Sequence, residues 1–128
     1  VSLKEKGEHM DISTLEVEEF TSPALVTIRR DESLDKAMEL MQENGIRHLP
    51  VVDQDKVVGI ISERDLLSHM GKDWTRMVRI EDVMSTSILS VYKSENLGEV
   101  AFQLSSQKKG SAIVLDDDDS LYGIFTTT

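Results

Sequence analysis

The sequence predicts a mixed α/β (α+β) fold in which one strand–helix–strand–strand–helix unit occurs twice. Three observations carry this. Adding 63 to a position lands on a residue of matching character through most of the chain. Each copy holds two short apolar runs around a polar turn, the pattern of a hairpin. Each also shows an apolar helix face at i, i+3, i+4 and i+7. Neither copy is expected to bury its apolar faces alone, so the two should pack as one pseudo-twofold body.

Residues 1–12 carry little pattern and read as a tail. The chain opens on Val, which suggests a trimmed end. The first repeat is assigned to residues 13–71. Ser13 to Glu19 is a helical candidate, broken by Thr21-Ser22-Pro23. Leu25 to Ile28 alternates as a short strand. Ser33 suits a helix N-cap, with Leu34, Ala37, Met38 and Met41 on one face and Asn44-Gly45 at the end. Leu49 to Val52 and Val57 to Ile61 are strands joined by Gln54-Asp55-Lys56. Gly59, inside the second, marks a close approach by another group. Ser62 opens a helix that runs through Leu66, Leu67 and Met70 to Gly71.

Residues 72–79 read as a linker and 80–128 as the second repeat. Glu18 maps to Glu81, Phe20 to Val83 and Ser22 to Ser85. Residues 25–28 map to Ile88-Leu89-Ser90-Val91. The helix face maps to Leu97, Val100, Ala101 and Leu104, and Asp53 maps to Asp116. One extra residue in the Asp116–Ser120 turn shifts the offset to 64, so that Gly59-Ile60-Ile61-Ser62 maps to Gly123-Ile124-Phe125-Thr126. The counterpart of Asp65 would be residue 129, so the last helix of the second repeat is expected to be missing.

The chain has 128 residues, enough for one core, and 39% are apolar. Its net charge of −10, from 24 acidic and 14 basic residues, disfavours nucleic acid and anionic membranes as partners. It contains no cysteine, so disulfides, thiolate catalysis and Cys-type zinc sites are excluded. No apolar run approaches the ~18 residues of a membrane span, and the charged start has no apolar signal region. A cytoplasmic location is expected. The residues form no catalytic constellation, Walker A motif or dinucleotide fingerprint, so an enzyme is not expected. His9 and His69 lack metal-ligand companions at useful spacing, and His48 by itself reads as a lone solvated or packed histidine. Asp116 to Asp119 lacks the spaced ligands of a calcium loop and reads as a solvated turn.

The segments IRHLPVVD (46–53), VVGIISERDL (57–66), EDVMS (81–85) and LYGIFTT (121–127) resemble the tandem cystathionine β-synthase (CBS) domain pair, or Bateman module. The resemblance spans about residues 16–128. It implies two CBS repeats with clefts for an adenosine-containing ligand: AMP, ADP or ATP, with S-adenosylmethionine a further candidate. Carried over by position, Asp65 would accept from the ribose hydroxyls and Ser62 would bind phosphate beside a helix start. Arg64 would pair with phosphate as a charged fork, and Arg47 and His48 would face the same cleft. Val26, Thr27, Leu49, Pro50 and Ile61 would contact the base and cleft wall. In the second repeat, Thr126, Leu89, Ser90, Ser111, Ala112 and Phe125 would form a weaker site. The sequence leaves Arg29, Arg30, Lys108 and Lys109 unplaced relative to the phosphates.

Ser62-Glu63-Arg64-Asp65 is equally a capping box that starts a helix. The two roles compete, because an Asp65 bonded to backbone is less free for ribose. The resemblance favours a regulatory nucleotide sensor acting through shape or assembly on an unknown effector protein. The rival is a dimerisation scaffold without a physiological ligand, a homodimer through Leu34, Met38, Leu97 and Ala101.

Overall fold

The computed structural model describes residues 14–24, 26–73 and 75–127. Its elements are β1 (Ser22–Pro23), β2 (Ile28–Arg29), α1 (Leu34–Asn44), β3 (His48–Asp53), β4 (Lys56–Ser62), α2 (Glu63–His69), α3 (Ile80–Val83), β5 (Leu89–Tyr92), α4 (Leu97–Ser106), β6 (Ser111–Leu115) and β7 (Leu121–Thr126). The result is the expected mixed α+β fold, with two small sheets and four α-helices among the described residues. The chain divides into two compact units, one running from Ala24 to Ile88 and the other combining the chain before Ala24 with the chain after Ile88.

In the Ala24–Ile88 unit the strand order is β2-β3-β4. β2 runs parallel to β3 and β4 antiparallel to it, so α1 is the crossover that a parallel pair requires. The Ser33 side chain accepts from the Lys36 N–H, and Gly45 ends α1 with a left-handed φ of 62°. Both signals were legible in the sequence. The hairpin turns on two residues, Gln54 and Asp55, with φ of 49° and 70°. Lys56 lies inside β4, paired with Asp53, and not in the turn as expected. Leu34, Ala37 and Met41 of α1 pack with Leu49, Val51, Ile61, Leu66 and Ile80 into one core.

The residues around α3 act as an arm across this unit. The Ile80 N–H donates to the Glu32 carbonyl at 3.0 Å and the Glu81 N–H to the Arg30 carbonyl at 2.9 Å. Ile60 and Ser85 exchange backbone bonds of 3.0 and 2.9 Å. Gly59 permits this: a Cβ there would stand 2.7 Å from the Met84 sulfur and 2.8 Å from the Ser85 carbonyl oxygen. The close approach expected at Gly59 is therefore made by the residues that follow α3.

The other unit repeats the arrangement. Its strand order is β1-β7-β6-β5, with β5 and β6 parallel. Val100 and Leu104 of α4 pack with Val17, Val91, Ala112, Val114 and Phe125. Its arm is a 3-10 turn at Val17–Phe20 followed by β1. The Val17 N–H donates to the Glu95 carbonyl and the Glu18 N–H to the Lys93 carbonyl. These are the counterparts, 63 residues earlier and later, of the Ile80 and Glu81 bonds. Ser22 pairs with Ile124, and a Cβ on Gly123 would collide with the Ser22 carbonyl. Each unit thus holds the strands and central helix of one repeat and the leading arm of the other.

Several local expectations change. Ser13, Leu25, His9 and residues 1–12 lie outside the described residues. The helix expected up to Glu19 is a 3-10 turn over Val17–Phe20. Of the strand expected over 25–28, Ile28 pairs with β3, together with Arg29, and Val26 and Thr27 precede that pairing. Ile88 lies before β5. The helix opened by Ser62 ends at His69, with Met70 as C-cap and Gly71 beyond it at φ 81°. Leu67 faces outward, 60% exposed.

Candidate functional site at the end of the β3–β4 hairpin

The antiparallel register of β3 and β4 pairs His48 with Ser62, Leu49 with Ile61 and Pro50 with Ile60. Directly opposed residues project to the same face, with Cβ atoms roughly 5 Å apart. His48 and Ser62 are therefore side-by-side at the end of the sheet where α2 begins. The Glu63 N–H donates to the Arg47 carbonyl at 2.8 Å, which ties the helix start to the entry of β3.

Ser62 and Asp65 cap each other. The Asp65 N–H donates to Ser62 Oγ at 3.1 Å, and the Ser62 N–H donates to Asp65 Oδ2 at 3.3 Å. The capping box read as the plain role of this motif is formed. It consumes one carboxylate oxygen and the acceptor side of one hydroxyl. A carboxylate has two oxygens with about four acceptor sites. The cap therefore leaves Asp65 Oδ1 as an acceptor and the Ser62 hydroxyl as a donor, so capping and ligand contact are compatible.

His48 is half-buried, and burial holds its imidazole below the ordinary value near 6.5. The charge of Asp65 works the other way and that of Arg47 reinforces the lowering. Arg47 and Arg64 are exposed. Val26 is half-buried against the core and Thr27 is exposed. Leu49 and Ile61 have no exposed surface, and Pro50 is buried too. Leu49 and Ile61 belong to the core, so a ligand would meet their backbone and not their side chains.

The second repeat has the same framework. Ser111 pairs with Thr126 and Ala112 with Phe125, the counterparts of His48–Ser62 and Leu49–Ile61. Leu89 of β5 pairs with Ala112 of β6, and Ser90 is exposed. The Thr127 N–H donates to the Gly110 carbonyl at 3.0 Å, as Glu63 does to Arg47. Gly110 stands where Arg47 stands, and Ser111 where His48 stands. The second site accordingly lacks the charged and titratable side chains of the first. Ala112 and Phe125 belong to the core.

Sequence reasoning left Arg29 and Arg30 unplaced. The structure puts them at the far end of β3. Arg30 bonds Glu81 at 3.0 Å and Asp53 at 3.4 Å, and its guanidinium is held further toward the charged form by those carboxylates, Glu81 first. With Arg29, Asp31, Val52, Gln54 and Asp55 they line an open depression of about 500 Å³. Asp53 at this end lies five residue steps, about 17 Å of extended chain, from His48. Lys93 bonds Asp116 at 2.8 Å in the equivalent place of the other unit. The duplicated cation is legible in the repeat itself, since Arg30 plus 63 is Lys93. Lys109 donates to Gln107 Oε1.

Among the described residues no group of three or more His, Cys, Asp or Glu is arranged for a metal ion. No helix among them is long and apolar enough to cross a membrane.

The profile of the CBS domain family matches residues 17–72 and 80–128. An uncharacterized protein, MJ1225, of Methanocaldococcus jannaschii is 25% identical over 122 residues, covering 86% of this chain and 44% of its own length. The chain thus spans less than half the length of that curated relative. Two solved structures share the fold: CBSX2 in complex with AMP, at TM-score 0.72 and 32% identity over 88% of this chain and 90% of that one, and the CBS domain pair of MJ0100 with 5′-methylthioadenosine and S-adenosyl-L-methionine, at TM-score 0.77 and 26% identity over 89% and 90%.

Proposed function

Since the chain belongs to the CBS domain family and carries the domain twice in tandem, we propose that it is a regulatory module that binds an adenine nucleotide where β3, β4 and α2 of the first repeat meet. The observation that carries this reading is the reciprocal Ser62–Asp65 cap. It fixes both side chains and leaves one carboxylate oxygen and one hydroxyl donor available. A diol and a phosphate on one ligand match that pair. Asp65 Oδ1 accepts from the ribose hydroxyls, the Ser62 hydroxyl donates to phosphate, and exposed Arg47 and Arg64 neutralise its charge. Support comes from the AMP in the CBSX2 structure and the two adenosine compounds in that of MJ0100.

A sensor must bind its ligand with different affinity in two states. We place that difference in assembly or in the coupling to a separate effector protein. A cytoplasmic homodimer without membrane or nucleic-acid contacts fits the charge of −10. Calorimetry with AMP, ADP, ATP and S-adenosylmethionine, on this chain and on Asp65→Ala, tests the site. Micromolar binding of one compound that is lost in the variant is the expected result. Silence toward all four at millimolar concentration would sink it.

One observation favours the scaffold reading as a second possibility. Leu67 on α2 and Phe102 on α4 are 60% and 72% exposed. The contact residues expected from sequence are not available in the same way: Leu34 is 1% exposed, and Met38 and Leu97 pack against their own cores. Ala101 is half-buried, and a dimer contact through α2 and α4 would add the exposed Leu67 and Phe102. A monomer by light scattering at high concentration would count against this reading.

A further inference from the structure

The half-buried imidazole of His48 stands beside Ser62, in the part of the site assigned to phosphate. The charged groups acting on it are Asp65 from α2 and Arg47 immediately before it, while its neighbour on β4 is uncharged. We propose that ligand binding here is linked to protonation of His48: the imidazole takes up one proton from solvent as an anionic phosphate settles beside Ser62. The inference rests on the nucleotide reading of this strand end and adds a regulation to it.

The physical reason is a change of company. In the free protein, burial penalises the imidazolium, and Asp65, the carboxylate acting on it, already shares its charge with the cap. Arg47 adds repulsion. A bound phosphate brings up to two negative charges into a place that water partly leaves. That charge favours the imidazolium over the neutral ring, so the proton affinity of His48 rises on binding. By linkage, the same coupling strengthens phosphate binding as pH falls. The second repeat has Ser111 at this position, so the linkage belongs to the first repeat alone. Adenosine, which lacks phosphate, should bind without it.

The test is AMP calorimetry on the full chain near pH 7, in buffers of different ionisation enthalpy, with wild type and His48→Gln. Wild type should take up a measurable fraction of a proton beyond that of the variant. The AMP phosphate titrates near pH 6 by itself, and that contribution is common to both proteins. Between pH 6.5 and 8 the wild-type affinity should weaken more steeply than that of the variant, with the linked proton adding at most tenfold per pH unit. Adenosine should show no difference. Equal proton uptake and equal slopes would overturn the linkage and leave the nucleotide site standing. No binding of AMP or ATP to wild type would overturn both. Should the variant fold poorly, NMR titration of His48 in wild type decides: its midpoint should rise with saturating AMP, and an unchanged midpoint refutes the proposal.

Discussion

Gly59 and Ser85 are packed backbone to backbone. A Cβ on Gly59 would sit 2.8 Å from the Ser85 carbonyl oxygen, while Ser85 exchanges two hydrogen bonds with the adjoining Ile60. The approach is the same in the other unit, where Gly123 meets Ser22 beside Ile124. The two glycines are what allow an arm to lie flat on each sheet.

Gly59→Ala should therefore destabilise the protein by roughly 1–3 kcal/mol, the usual range for overpacking a closed contact. Gly123→Ala should cost as much or more, because its Cβ would press closer on the Ser22 carbonyl than that of Gly59 does on Ser85. Urea midpoints at constant slope measure both. Gly45→Ala is the control: nothing stands within 4 Å of its Cβ, so only its positive φ of 62° resists the change, by about 1 kcal/mol.

Much of this was legible in the sequence, and the remainder was not, for a definite reason. The offset of 63 mapped Glu18 onto Glu81, and in the structure the two N–H groups make equivalent backbone bonds, to the Lys93 and Arg30 carbonyls. Ser33, Ser62 and Gly45 announced helix ends that are present. The exchange of arms was not legible. Two repeats of one pattern offer each arm equivalent backbone partners, and local pattern does not say which repeat it takes. Likewise, the family resemblance implied that Leu49 and Ile61 contact the ligand from the cleft wall, yet alternation along a strand turns both side chains into the core.

Lys108 occupies the position of Gly45 after the second repeat's helix and has nearly the same backbone, φ 56° against 62°. A side chain in this conformation is strained where glycine is not. Lys108→Gly should stabilise the chain by about 1 kcal/mol, and Gly45→Lys should destabilise it by a similar amount. Thermal or urea unfolding of the two variants checks the pair. Equal effects of one sign would show that the two helix ends are not equivalent.

Ser62→Asp separates capping from ligand contact. Asp caps a helix as well as Ser does, whereas Ala loses roughly 1 kcal/mol. Stability should thus be near wild type in Ser62→Asp and reduced in Ser62→Ala. AMP binding should be weakened in both, and more in Ser62→Asp, which sets a carboxylate against the phosphate. Asp65→Asn should weaken AMP and adenosine alike by about 10–100-fold, the range of a hydrogen bond to a charged group. Arg30→Gln, at the far end of β3, should bind AMP as wild type does. Loss of binding in Arg30→Gln would relocate the site to the depression lined by Arg30, Asp53 and Glu81.

His48 should also leave a mark on stability without any ligand. In the unfolded chain an imidazole titrates near 6.5. In the folded protein burial moves that point down, and the pull of Asp65 does not restore it. Between the two values the unfolded state binds more protons, so stability rises with pH across that window. The contribution is whole above about 6.5 and is lost as pH falls through the folded value. Carboxylates also titrate on the acid side, so the comparison must be with His48→Gln, which keeps them all. The urea midpoint of wild type should fall further between pH 7.5 and pH 5.5 than that of the variant. Saturating AMP should shrink the gap, because a phosphate partner raises the folded value toward or above the unfolded one. A gap that AMP leaves untouched would mean that His48 is a packed residue with no part in phosphate binding.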